Sequence, residues 1–192
     1  MLEKLKKSLE EAPVIQKELG GHIYNYFIHP ISDGIPETDP AILEEIADYI
    51  FSVQKTAYDK IVTVEAMGLP IATALSIKTR RPVTIIRKRK YGLPSEIELS
   101  QSTGYSKGSL FINGLLKGDR VLIVDDVVST GGTLLPLLET LKETGVDVAG
   151  VYCVIGRGDG AAGIQKKSGT NVTVLVNVDV SDQGVRVTGG VK

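Results

Sequence analysis

The stretch "VLIVDDVVSTGGT", Val121 to Thr133, runs four apolar residues into two adjacent aspartates and then, after a short link, into a Thr-Gly-Gly-Thr turn. The next stretch, "TLLPLLETLKETG", spaces its leucines at helical intervals and closes at Gly145. An apolar run, a polar turn and an amphipathic helix, in that order, describe a strand covered on both faces that feeds a helix from its carboxyl end. In an open α/β sheet that is where ligands bind. Two neighbouring carboxylates, Asp125 and Asp126, can accept hydrogen bonds from a vicinal diol or hold a divalent cation through water. The turn adds successive backbone N–H groups, close approach at Gly131 and Gly132, and the positive end of a helix dipole, a setting that favours a phosphate monoester. A diol on one side and a phosphate on the other describe a ribose 5-phosphate. Taken singly, Asp-Asp is also a helix cap beside a solvated acid, and Thr-Gly-Gly-Thr an ordinary turn; order and spacing together carry the reading.

Outward from this strand, apolar runs and helical segments alternate. "KIVTVEAMG" reads as a strand and turn, "LPIATALSIKT" as a helix, "RPVTIIRKRK" as a strand, and "VAGVYCVI" and "NVTVLVNV" as further strands. Asp39-Pro40 opens another helix, with Asp39 as N-cap, Pro40 at the first position and Ile42, Ile46, Tyr49 and Ile50 as its buried stripe. At the N-terminus, Leu2, Leu5 and Leu9 space a short helix. The expected architecture is α/β: one domain over residues 1–192, built on a doubly wound, mostly parallel twisted sheet flanked by helices. Two segments break the alternation. Residues 20–38, rich in Gly, Pro and aromatics, read as an irregular folded hood; residues 90–114 read as a long hairpin or flap of the kind that closes over a site.

Composition narrows the classes. Hydrophobic residues make up 42% of the 192, enough for a packed core. Lys and Arg number 22 against 23 Asp and Glu, a formal charge of -1 that disfavours nucleic acid or an anionic membrane as partner. The single cysteine, Cys153, excludes an internal disulfide and reads as a buried, inert thiol. No apolar run reaches the ~18 residues of a membrane span. A cytoplasmic enzyme or binding protein is the expectation. No G-x-x-x-x-G-K-[ST] is present, which disfavours a P-loop kinase.

A second turn, Glu65-Ala66-Met67-Gly68, lies between a strand and a helix that carries Pro70 in its first turn. It offers backbone N–H groups at a helix N-terminus, or is an ordinary turn capped by Glu65. From Lys78 to Lys90 seven residues are basic and none acidic; Arg80 and Arg81 read as a solvated face, whereas "RKRK" leads straight into the proposed flap.

"VLIVDDVVSTGGT" closely resembles the phosphoribosyl-pyrophosphate (PRPP) motif of type I phosphoribosyltransferases. The order "YFIHPISDGIP", "KIVTVEAMG", "IIRKRKYGLP", "TGYSKG", "DRVLIVDDVVSTGGT" is similar, over nearly the full length, to the archaeal hypoxanthine/guanine group of that family. The resemblance implies transfer of a 5-phosphoribosyl group from PRPP to a purine base. Asp125 and Asp126 would contact the ribose hydroxyls and form the catalytic pair, with Val128, Ser129, Thr130, Gly131, Gly132 and Thr133 around the 5'-phosphate. Glu65, Ala66, Met67 and Gly68 would meet the pyrophosphate, together with Arg87, Lys88 and Lys90; strand alternation cannot place all four basic residues on the ligand. The hood would cover the base, with Phe27 or Ile28 either stacked on the ring or packed in the core. Arg157, beside Asp159, either reads the base or belongs to a polar surface loop. Mg²⁺ would be bound mainly through PRPP, with no direct protein ligand, and the chain would be a homodimer. One departure concerns the flap: the adenine enzymes carry a glutamate just before a tyrosine, whereas Gly104 precedes Tyr105 here, leaving Glu96 and Glu98 as nearby acids. Adenine or xanthine transferases, and PRPP- or nucleotide-binding regulators without catalysis, remain the alternatives.

Overall fold

Beta-branched and aliphatic runs become strands, and each amphipathic stretch between them becomes a covering helix. The structure, a computed structural model, describes residues 1–19, 21–102 and 107–191. In chain order, α1 (Glu3–Glu10) leads to the hairpin β1 (Val14–Leu19) and β2 (His22–Phe27), a short α2 (Pro30–Asp33) and α3 (Pro40–Val53). Then follow β3 (Lys60–Val64), α4 (Gly68–Thr79), β4 (Val83–Ile86) and a second hairpin, β5 (Ile97–Ser102) with β6 (Lys107–Ile112). The chain continues through β7 (Arg120–Val128), α5 (Leu134–Glu143), β8 (Asp147–Gly156), α6 (Gly160–Ser168), β9 (Thr173–Ser181) and β10 (Gly184–Gly190).

The central sheet has the order β10-β9-β8-β7-β3-β4. Its five strands from β9 to β4 are parallel, and β10 returns antiparallel on β9. Both faces of β7 are buried. Leu122 and Val124 point into one core with α1, α3 and α4, whereas Val121 and Ile123 point into a second core with α5. The mostly parallel α/β sheet expected from sequence is present.

Two expectations need correction, and two elements go beyond what was expected. From Gly21 to Asp33 the expected irregular hood is regular: β2 pairs in full register with β1, from Val14 opposite Phe27 to Leu19 opposite His22, and α2 follows. Gly21, at φ 80°, takes the backbone conformation that a tight hairpin loop requires. "RPVTIIRKRK" stops being a strand at Ile86, after which only Arg87 bridges to Phe111 of β6. "GRGDGAAG" leads into α6 instead of remaining a loop, and a tenth strand follows β9.

Local signals start the helices where expected. Asp39 Oδ1 accepts the Ala41 N–H at 2.8 Å, capping α3. The first helix borrows its cap: Glu45 on α3 accepts the Lys4 and Leu5 N–H groups at 3.3 and 3.0 Å. No helix among the described residues is long and apolar enough to cross a membrane.

Candidate active site

β3 and β7 are parallel neighbours, so the turn after one and the loop after the other open at the same edge of the sheet. Asp125 and Asp126 lie within the last residues of β7. Asp125 is only 7% exposed, and its Oδ1 accepts the Asp126 N–H at 3.1 Å. Neither carboxyl has an ion-pair partner among the described residues. Burial, and next the charge of Asp126, push the Asp125 carboxyl well above the usual carboxylate range. Burial likewise raises Asp126, to about 6, and Asp33 at the end of α2 adds like charge. The pair is therefore an uncompensated acidic spot that gains from diol donors or a nearby cation.

The following loop encloses a cavity of about 190 Å³ lined by Asp125 and residues 127–134. Val128 is buried, so it reaches a ligand only through its backbone; its carbonyl accepts the Arg157 N–H at 2.9 Å. Gly131 is buried at φ 78°, Ser129, Gly132 and Thr133 are half-buried, and Thr130 is exposed. Thr133 takes the N-cap position of α5. Roomier hollows, about 740 Å³ between α3 and α4 and about 810 Å³ beside α5, lie away from the carboxylate pair. Chemistry, not size, marks the site.

The second turn meets the first through Gly68. A β-carbon there would stand 2.0 Å from Thr63 Oγ1 and 3.0 Å from Asp125 Oδ1, so the missing side chain allows α4 to start against the acidic pair. Glu65 is engaged within the protein. Burial opposes its ionisation, but the Lys88 N–H at 2.7 Å and the Arg87 guanidinium outweigh it and hold the carboxyl below its usual value. Arg87 is thus tied to Glu65, while Lys88 is exposed and Lys90 pairs with Glu98 at 3.5 Å. Met67 touches the cap of α2: a β-carbon at Gly34 would lie 3.5 Å from its methyl carbon.

Of the residues proposed around the base, Phe27 is 4% exposed and packs in the core, whereas Ile28 is half-buried. Arg157 crosses to the first hairpin and donates to the Asn25 carbonyl at 2.8 Å, so it ties that hairpin to the sheet. His29 caps α2, accepting the Ile31 N–H; burial, against the charge of Asp33, lowers its pKa to about 4. Gly104 and Tyr105 lie outside the described residues. Glu96 accepts from the Tyr91 and Gly92 N–H groups and from Asn113, and Glu98 pairs with Lys90, so both acids have partners.

The donor set suits Mg²⁺ only as a shared guest. No cluster of three or more ligating His, Cys, Asp or Glu occurs among the described residues. Two hard oxygen donors without a cationic partner fit an ion that brings phosphate and water ligands with it.

Sequence reasoning overlooked three contributors. Thr63, a polar residue in an otherwise apolar strand, is fully buried with its hydroxyl unpartnered. Asp33 holds the Tyr26 hydroxyl and the His29 N–H beside the acidic pair. Gly160 belongs to "GDGAAG", residues 158–163, whose G-x-G-x-x-G spacing was the readable signal.

A model of the phosphoribosyl transferase domain matches residues 37–186, and the chain belongs to the phosphoribosyltransferase family. It is 57% identical over 187 residues to a hypoxanthine/guanine phosphoribosyltransferase of Methanosarcina mazei, covering 97% of this chain and 96% of that one. The protein of the same name from Methanothermobacter thermautotrophicus is 51% identical over 187 residues, 97% and 95% of the two chains. Among solved structures, an adenine phosphoribosyltransferase of Trypanosoma brucei, in complex with AMP, pyrophosphate and ribose-5-phosphate, superposes with a TM-score of 0.74 at 19% identity, over 90% of this chain and 79% of that one. The adenine phosphoribosyltransferase of Thermoanaerobacter pseudethanolicus gives 0.72 at 20% identity, over 92% and 99%. These likenesses establish the fold.

Proposed function

We propose that this chain is a hypoxanthine/guanine phosphoribosyltransferase of purine salvage, converting the base and PRPP to inosine or guanosine monophosphate and pyrophosphate. One observation carries the assignment: a carboxylate pair with Asp125 buried and a glycine-rich cavity lie on a single strand-to-helix connection. The choice of base rests on the relatives named above, at 51% and 57% identity over nearly the whole length.

In this reaction a purine ring nitrogen bonds to the anomeric carbon as the bond to the pyrophosphate oxygen breaks, and the base loses its ring proton. Asp125 and Asp126 orient the ribose hydroxyls and lie near the positive charge that develops on the sugar. The Ser129–Thr133 loop fixes the 5'-phosphate. Backbone N–H groups of Ala66, Met67 and Gly68 receive the pyrophosphate, with Lys88 and Lys90 as further cations; Glu65 and Arg87 brace that turn. Mg²⁺ carried by PRPP supplies charge neutralisation at the leaving group. The hairpin at residues 90–114 serves as a flap that excludes water. The segment from Tyr26 to Ile35, with Ile28 and Arg157, forms the base side. A cytoplasmic homodimer completes the proposal.

The test is an assay with PRPP and Mg²⁺ against hypoxanthine, guanine, xanthine and adenine separately, following nucleotide by chromatography. Inosine and guanosine monophosphates are the expected products. Adenosine or xanthosine monophosphate alone would reassign the base, and no product with any base would sink the enzymatic reading.

A further inference from the structure

The glycines of "GDGAAG" are spaced like those of a dinucleotide-binding turn, but their surroundings give them different work. A β-carbon on Gly158 or Gly163 would meet nothing within 4 Å. One on Gly160 would stand 2.3 Å from the Ser129 carbonyl oxygen, 2.6 Å from its carbon and 3.1 Å from the Gly131 nitrogen. All three are backbone atoms and cannot swing aside. We infer that Gly160 is a positioning residue for the phosphate loop: the space left by its absent side chain sets the path of Ser129 to Gly131.

The contact is reciprocal. Gly131 is itself at φ 78°, and a β-carbon there would lie 2.9 Å from Ile164 Cγ1 and 3.2 Å from its Cδ1. Gly160 and Ile164 are four residues apart, on one face of α6, so that face is the mould against which the loop is pressed. The loop is also pinned at its two ends, by Val128 O accepting from Arg157 N and by Gly131 O accepting from Leu135 N at 3.0 Å. Between those pins lie Ser129 and Thr130, and Gly160 packs directly on the first. An added methyl there forces the Ser129 carbonyl to shift, and with it the backbone path that lines the cavity.

The inference rests on the reading of this loop as the 5'-phosphate site, and the experiment separates the two. Wild type, Gly160→Ala, Gly163→Ala and Ile164→Val are compared by calorimetric titration with PRPP and Mg²⁺, by KM for PRPP and for hypoxanthine, and by thermal unfolding. Gly160→Ala raises the PRPP Kd and KM about tenfold or more, because a small displacement of a positioning group has large effects. The hypoxanthine KM at saturating PRPP stays unchanged, whereas a general loss of folded protein would lower the maximal rate and leave both KM values as they were. Gly163→Ala, on the same helix but facing open space, controls for helix propensity and leaves both constants unchanged. Ile164→Val, the milder probe, raises the PRPP KM several-fold. A folded Gly160→Ala with the wild-type PRPP KM overturns the inference; if that variant does not fold, an unchanged PRPP KM in Ile164→Val overturns it. Wild type that fails to bind PRPP overturns the functional reading, and this inference with it.

Discussion

At Asp125 and Asp126 the folded chain holds negative charge that its surroundings do not compensate. Asp126 rises from 3.8 to about 6 on folding, so the folded state binds that proton more tightly than the unfolded chain. Stability therefore falls as pH climbs between those values, and the full cost is present above about 6. Asp126→Asn removes the cost: it should stabilise the free protein at neutral pH by roughly 1–2 kcal/mol, with the gain vanishing on acidification below the ordinary carboxylate value. Turnover should drop about tenfold or more in the same variant. Urea denaturation at two pH values, beside the assay, checks both signs; a variant that is neither more stable nor slower removes the role. Gly68 makes a second demand at this scale. Gly68→Ala collides with Thr63 Oγ1, at a cost of about 1–3 kcal/mol. Adding Thr63→Ala should recover part of that loss, so the double variant is less destabilised than the sum of the singles, and strict additivity would refute the contact. The carboxylate pair was legible in the sequence because it interrupts an apolar strand. Thr63 was not, because one hydroxyl in such a run signals nothing about what it faces.

Among elements, the second hairpin depends on a carboxylate at its root. Glu96 gathers the Tyr91 and Gly92 N–H groups and Asn113 Nδ2, each at 2.9 Å, and Asn113, then those backbone donors, hold its pKa below the usual value despite burial. Glu96→Gln weakens three charge-assisted bonds at once. Amides of Ile97 to Ser100 and Ser109 to Ile112 should then exchange several-fold faster, while those of β7 keep their protection; equal rates in both would leave Glu96 without this function. The strands and helices of the sheet could be read from sequence because "RVLIVDD" is an unbroken apolar run ending in acids and "LPLLETLKE" has a helical period. The first hairpin could not, since "VIQKEL" and "HIYNYF" mix charge with apolar residues and the pair is joined by glycines that read as loop. α6 was hidden for a related reason: the glycines of "GAAG" are poor helix formers, and the packing of Ile164 beneath the phosphate loop leaves no mark in the sequence.

Over the whole molecule, the sheet divides the apolar interior in two. Phe27 and Ile31, from the hairpin side of the N-terminal segment, belong to the core shared with α1, α3 and α4. Leu99, Leu110 and Ile112, from the second hairpin, belong to the core shared with α5 and α6. Fold class and site location were legible at this scale, but this division was not, because it depends on which face each strand residue meets. The two projections therefore hang from opposite sides of a rigid partition. Ile112→Val, which costs about 1 kcal/mol, should loosen only the β5–β6 pair, and Ile31→Val only the β1–β2 side. Hydrogen exchange that rose in both hairpins with either variant would contradict the separation. Slack under one cover is then not transmitted through the protein to the other. A molecule held at the strand ends becomes the tie between them, and the covers act in concert only while it is there.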